Sequence, residues 1–182
     1  MNRTKIMQAI QRMVVAAALL AFLGCQSMPP IHTVEDVDLE RFMGDWYVVA
    51  NIPTFFEKDA YNAVESYRLA DDGSIETIFR FNKGGPEGPV KTYTPRAFVR
   101  DGTSNAVWDM QFVWPFKAEY RIVYLAPDYT TTVVGRTKRD YVWIMARTPT
   151  IPDNDFRQIL EFLKLQGYDT DKVRKVPQQV TP

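Results

Sequence analysis

The sequence predicts an all-β fold: an eight-stranded antiparallel up-and-down barrel with one C-terminal helix packed outside it. Three observations carry that expectation. Eight short strand-like runs follow one another with turn signals between them. One amphipathic helix pattern appears, and only after the last of these runs. Alternation along the runs gathers aromatic side chains on one face and charged ones on the other. A chain of 182 residues with no internal repeat or change of composition suits a single such domain.

Composition excludes several classes of function. The chain is 46% hydrophobic and 13% aromatic, too apolar for a disordered protein. Lys+Arg and Asp+Glu are each 22, and this neutrality argues against a nucleic-acid partner. One Cys and one His exclude an intrachain disulfide and a Cys/His zinc cage, so no metal or other cofactor is expected. A Ser-His-Asp triad would have to use His32, in a Pro-flanked N-terminal stretch.

The elements follow in order. Arg3, Lys5 and Arg12 precede an apolar run, Met13 to Leu23, that is too short to span a bilayer. A basic region, an apolar region and a small residue before a cut describe a secretory leader. Phe22-Leu23-Gly24-Cys25 resembles a bacterial lipoprotein signal, which implies a leader over 1–24 and a lipidated Cys25 as the new N-terminus. Gln26 in place of Asp after the Cys resembles an outer-membrane sorting signal. Cleavage would remove three basic residues and no acid, leaving a formal charge of −3. Residues 25–38, with Pro29 and Pro30, read as a tether, and residues 39–182 as the barrel with its helix.

The strand runs cover 46–54, 62–70, 74–82, 90–100, 105–114, 119–126, 130–138 and 141–148. Asp71-Asp72-Gly73 and Asp101-Gly102 are hairpin turns, and 83–89, with three Gly and two Pro, is a longer loop. Pro127-Asp128 and Lys138-Arg139-Asp140 close two further turns. Pro152-Asp153 starts the helix, Phe156, Ile159, Leu160 and Leu163 form its stripe, and Gly167 stops it. Residues 173–176 suit a short final strand.

Three motifs give this pattern a family resemblance. Gly44-Asp45-Trp46-Tyr47, after the short turn 39–42, resembles the Gly-x-Trp motif of lipocalins. Ala126-Pro127-Asp128-Tyr129 resembles the family's second motif, centred on Asp128 and Tyr129. Arg147-Thr148-Pro149 resembles the third, whose Arg lies over the Trp. The stretch from Arg139 to Pro149 is similar to the bacterial lipocalins, which are outer-membrane lipoproteins. The resemblance covers about residues 35–178. It implies a structural role for Gly44, Trp46, Asp128, Tyr129 and Arg147, and a barrel that binds lipid for membrane maintenance.

Strand directions counted from Trp46 bring Trp46, the turns at 70–73, 101–104 and 126–129, and Arg147 to one pole. The other pole carries the loops 53–61, 82–91, 113–118 and 137–140 and is the mouth. Phe55, Phe56, Trp114, Pro115 and Phe116 make it apolar, and Lys58, Lys83, Lys117, Lys138 and Arg139 are interleaved there with Glu57, Asp59, Glu119 and Asp140. Such a rim marks contact with a membrane, a ligand or a partner, unless the loops bury one another.

Parity anchored on Trp46 and Arg147 points Glu65, Tyr67, Thr77, Phe79, Phe81, Trp108, Met110, Phe112, Tyr120, Ile122, Tyr124, Gly135, Trp143 and Met145 inward. Ser66, Arg68, Glu76, Arg80, Asp109, Gln111, Arg121 and Val123 point outward. With Tyr93 and Tyr141 added, the inward side chains other than Thr77 and Gly135 are the candidate ligand-binding set. A face this aromatic is either a packed core or the lining of a pocket. An inward Glu65 should have a raised pKa or a tyrosine partner, such as Tyr67 or Tyr93.

The expected function is a membrane-anchored carrier or store of a fatty acid or lysophospholipid, facing the periplasm from the outer membrane through Cys25. A homodimer is compatible with it. Three rivals remain: a scaffold with a filled barrel, a lipid-modifying enzyme using Glu65 as base, and a haem carrier with a Tyr ligand. No residue pattern resembles a nucleophile with its activating base, so no catalytic residue is assigned.

Overall fold

The computed structural model describes residues 31–179. The leader, Cys25 and residues 26–30 of the expected tether lie outside the described residues. A short helix α1 (Leu39–Phe42) leads into β1 (Gly44–Ile52), β2 (Ala60–Leu69), β3 (Ile75–Lys83), β4 (Val90–Tyr93) and β5 (Arg96–Val99). Then come β6 (Val107–Val113), β7 (Phe116–Leu125), β8 (Thr131–Gly135), β9 (Val142–Ala146), helix α2 (Asp153–Leu165), a 3-10 turn and β10 (Arg174–Lys175). The strands pair antiparallel in the order β1-β2-β3-β5-β6-β7-β8-β9, with β4 also on β3 and β10 on β1, and β9 returns to β1, which closes the barrel.

The strand expected over 90–100 is two strands, β4 and β5, both paired with β3. Pro95 interrupts it, because proline has no N–H to give to the ladder. Its carbonyl instead accepts a bond from the Thr77 N–H at 3.2 Å. The barrel therefore keeps its eight walls, the fourth in two pieces. The turn expected over 39–42 is α1, whose Arg41 N–H is capped by Asp38 Oδ1 at 3.2 Å. The hairpin at 70–74 forms as its residues dictate: Asp72 Oδ1 accepts the Ser74 N–H at 3.0 Å, and Gly73 takes the positive φ of +77°.

Two apolar layers result. The inner layer fills the closed end of the barrel around Phe42, Trp46, Tyr67, Trp108 and Tyr120. The outer layer lies between the wall and α2, with Val49, Val123, Val133 and Ile144 against Ile159 and Leu163. Ile31, Val34 and Val37 belong to these layers, and Val34 N–H bonds Ile122 O at 3.0 Å. The last part of the expected tether, from Ile31 onward, thus runs along the barrel.

The inward set is largely as the alternation gives it, with three corrections. The β6–β7 ladder shifts register between Met110 and Val113, so Phe112 turns out to solvent and is 57% exposed. The β7–β8 ladder shifts between Ile122 and Tyr124, so Val123 and Tyr124 both face the outer layer, where the Tyr124 ring lies 5.9 Å from Phe162. Gly135 also faces outward, since a Cβ there would lie 2.2 Å from the Tyr168 hydroxyl oxygen. A bulge adds one residue to one strand and reverses every side chain beyond it.

The motif residues meet at the closed pole. The Arg147 guanidinium lies 3.8 Å from the Trp46 ring centroid. It donates to the carbonyls of Arg41, Phe42, Met43 and Asp45 at 2.8–3.1 Å and to that of Tyr129 at 3.4 Å. Gly44 holds a φ of +91°, and a Cβ there would come within 3.4 Å of Arg147 Nη1. Trp46 Nε1 donates to Phe42 O at 2.8 Å, and Asp128 Oδ1 ties down its turn by accepting from Thr130 N–H and Oγ1 at 3.1 and 2.7 Å. Replacing Arg147 with Ala removes the ring stack and strands its carbonyls, at an expected cost of about 2–4 kcal/mol. Arg147→Lys should restore part of that loss, as read from urea unfolding midpoints.

Candidate functional site

The inner wall changes character from floor to mouth. At the floor, Phe42 lies 5.0 Å from Trp46, 5.7 Å from Tyr67 and 5.3 Å from Trp108, and Trp108 stacks on Tyr120 at 4.9 Å. These rings fill the closed end. Toward the mouth, Phe79 and Phe81 lie 5.2 Å apart, with Tyr93 stacked against them at 6.4 and 6.2 Å. Trp143 faces in from β9 and lies 6.3 Å from Tyr141. Met110, Ile122 and Met145 complete the buried inner wall. Tyr93, Tyr141 and Trp143 are only half-buried, whereas the floor rings are covered.

One polar cluster interrupts this apolar wall. Glu65 and Tyr67 alternate on β2 and so share its inner face; Tyr120 reaches them from β7 across the bore. The Tyr67 hydroxyl donates to Glu65, and the Tyr67 and Tyr120 oxygens lie 2.7 Å apart. Burial away from water raises the Glu65 pKa from its ordinary 4.5 to about 7, opposed by the Tyr67 hydrogen bond and reinforced by the nearby Glu57. Burial and the adjoining Glu65 carboxyl likewise push both tyrosines above their ordinary value of 10. Thr77, opposite Tyr67 in the ladder, has a buried hydroxyl with no hydrogen-bond partner among the described residues. A polar atom of a guest, or a water, would satisfy it.

Glu57, which the sequence places among the rim charges, turns inward under the β1–β2 loop and is buried. Its carboxylate accepts from Trp143 Nε1 at 3.0 Å and from the Thr54 N–H at 2.8 Å. No lysine or arginine is buried among the described residues. Alternation does not reveal Phe42, which is fully buried and plugs the floor beside Trp46 and Trp108. Its signal was the Asp38 cap, which sets α1 and brings Phe42 under Trp46. No three His, Cys, Asp or Glu side chains among the described residues group as a metal site.

The displaced members of the inward set lie elsewhere. Phe112 is on the outside of the β6–β7 hairpin, near the mouth. Tyr124 lines a surface cleft of about 510 Å³ between α2 and the β7–β8 turn, together with Asp128, Asp155, Gln158 and Phe162. That cleft is open and half polar, and it is separated from the bore by the barrel wall.

A single-ended β-barrel, plugged and clamped at one pole and lined by rings toward the other, is the architecture of a small-molecule binding protein. The Lipocalin-like domain family matches residues 37–178. Outer membrane lipoprotein Blc of Citrobacter freundii is 34% identical over 91% of this chain and 96% of its own. Temperature-induced lipocalin-1 of Arabidopsis thaliana is 28% identical over 84% of this chain and 85% of its own. Among solved structures, insecticyanin from Manduca sexta superposes with a TM-score of 0.65 at 15% identity, covering 84% of this chain and 86% of that one, a likeness of fold alone. The chain belongs to the lipocalin family and is a bacterial lipocalin. Lipocalins bind small hydrophobic ligands and are not enzymes.

The raised Glu65 pKa fixes a sign for pH dependence. Between 4.5 and about 7 the folded state keeps a proton that the unfolded chain has released. Stability therefore falls as pH rises through this window and levels off above it, by on the order of 3 kcal/mol in total. Glu65→Gln should flatten that dependence, as measured by denaturant unfolding at pH 5 and pH 8.

Proposed function

We propose that this lipocalin is anchored in the outer membrane through lipidated Cys25, faces the periplasm, and carries or stores one single-chain lipid, a fatty acid or lysophospholipid. The observation that carries this reading is the ring-lined upper wall, from Phe79 and Phe81 to Trp143, whose mouth-side members are half-buried while the floor is full. Such a wall suits an acyl chain entering from the mouth. Each methylene removed from water contributes about 0.8 kcal/mol, so a chain of about fourteen carbons gains on the order of 10 kcal/mol. Association and ordering return roughly half of this, leaving about 5 kcal/mol from the chain itself, a dissociation constant on the order of 0.1 mM that contacts of the head then tighten.

The bulk of Tyr67, Trp108 and Tyr120 below and of Phe81 and Trp143 above favours one chain over two. Glu57 and Glu65 inside, with no buried cation among the described residues to balance them, favour a ligand whose charged head stays at the rim, beside Lys58, Lys83 and Lys117. The leader's resemblance to a lipoprotein signal, and relatives named as outer membrane lipoproteins, support the anchoring. A barrel filled by its own side chains, acting as a scaffold, is the reading that the packed floor favours instead.

Native mass spectrometry of the extracted protein with lipid identification separates the two. One single-chain lipid per chain is expected, and Trp143→Ala should weaken its binding about tenfold through lost apolar contact. An empty barrel, with tryptophan emission unchanged through a titration of acyl lipids, would leave the scaffold.

A further inference from the structure

We infer that the mouth of the barrel is itself a membrane-docking surface, which seats the opening on the anionic headgroups of a lipid leaflet. The proposal rests on the Cys25 anchoring for its geometry, but on different residues for its contacts. Ten large apolar side chains are exposed among the described residues, and only Leu69 and Ile78 lie away from this end. Phe55 and Phe56 project from the β1–β2 loop, with ring centroids 5.6 Å apart. Val113, Trp114 and Phe116 form the tip of the β6–β7 hairpin, where Trp114 is 81% exposed. Leu165 joins them, because the C-terminal end of α2 reaches the mouth, where Arg139 Nε bonds Gln166 O at 3.1 Å. The loops do not bury one another. An apolar patch of this size, built of Trp and Phe, is costly to leave in water and suits the boundary of headgroups and acyl chains.

Charge selects the occupant. Lys58, Lys83, Lys91 and Lys117 are exposed around the patch, and none forms an ion pair among the described residues. Most acids of this end are engaged elsewhere: Glu57 by Trp143, Glu119 by Arg121 and Thr137, and Asp140 by Arg136. Asp59 and Glu87 are exposed with no ion pair among the described residues, fewer than the four lysines that flank the patch. The rim is therefore cationic as well as apolar, which matches an anionic lipid surface. A second copy would set the same lysines face to face across a two-fold interface. Reach agrees with a lipid surface. Ile31 is packed against the barrel flank, and the six-residue step from Cys25 to Ile31 spans at most about 20 Å. A barrel held that close meets the leaflet with its exposed end.

Trp114 provides the probe, since Trp46 and Trp108 are buried and Trp143 is half-buried. The full-length protein is reconstituted in vesicles of phosphatidylethanolamine and phosphatidylglycerol, and Trp114→Phe identifies the Trp114 emission by difference. Docking predicts that this emission is quenched by bromine on the acyl chains and shielded from aqueous iodide, and that high salt weakens the bromine quenching. Phe55→Ser with Phe116→Ser should reduce it several-fold while the unfolding midpoint and lipid titrations in the barrel stay unchanged. Trp114 open to iodide and untouched by bromine overturns the proposal. So does Trp114 shielded from both quenchers in a chain that cross-links as a dimer. An empty barrel beside a bromine-quenched Trp114 would defeat the carrier reading and leave the docking surface standing.

Discussion

Five backbone carbonyls from separate parts of the chain converge on the guanidinium of Arg147. Arg41, Phe42 and Met43 come from the end of α1, Asp45 from the start of β1, and Tyr129 from the β7–β8 turn. Trp46 lies beneath the same group. A planar, permanently charged fork can satisfy several acceptors at once, which a lysine cannot do in this geometry. Because α1 is fastened here, Phe42 stays under the barrel and water is kept from the floor. Everything above that floor inherits its direction: one end is closed, so a guest has only one way in.

The wall above depends on a second constraint, the register of three ladders. Bulges near residues 49, 111 and 123 each reverse the alternation of one strand. They place Val49 and Ala50 together against the outer layer, turn Phe112 out of the bore, and give α2 a paired surface of Val123 and Tyr124. The bore is thereby relieved of two large rings, and the helix gains a wider apolar seat. A closed barrel must curve, and bulges are where a strand bends.

The polar cluster on the inner face of β2 is costly unless its members satisfy each other, and they do so in a chain from Glu65 through Tyr67 to Tyr120. That chain ties β2 to β7 across the bore just above the packed rings. It also gives the bore a titratable group near neutrality, and Thr77, opposite Tyr67, has a hydroxyl with no partner among the described residues. The two poles divide the labour: one is held shut by hydrogen bonds to backbone, and the other presents rings and lysines to whatever surface it meets.

The sequence by itself determined the barrel, the late helix, the polarity of the two ends and most of the inward set, including Glu65, Tyr67, Trp108, Tyr120 and Trp143. Those features are periodic or local: alternation writes a face, Asp and Gly write a turn, and the three motifs carry the family. What lay beyond it came from contacts between segments distant in the chain. No local signal says that Pro95 splits a strand without ending the wall, since that requires β3 to hold both halves. Nor does alternation announce a bulge, because a one-residue slip is decided by the partner strand and the curvature of closure. Glu57 reads as an ordinary rim charge until Trp143, 86 residues on, offers it a hydrogen bond. Tertiary structure decided these positions because each one trades a local preference for a partner that only the closed barrel brings within reach.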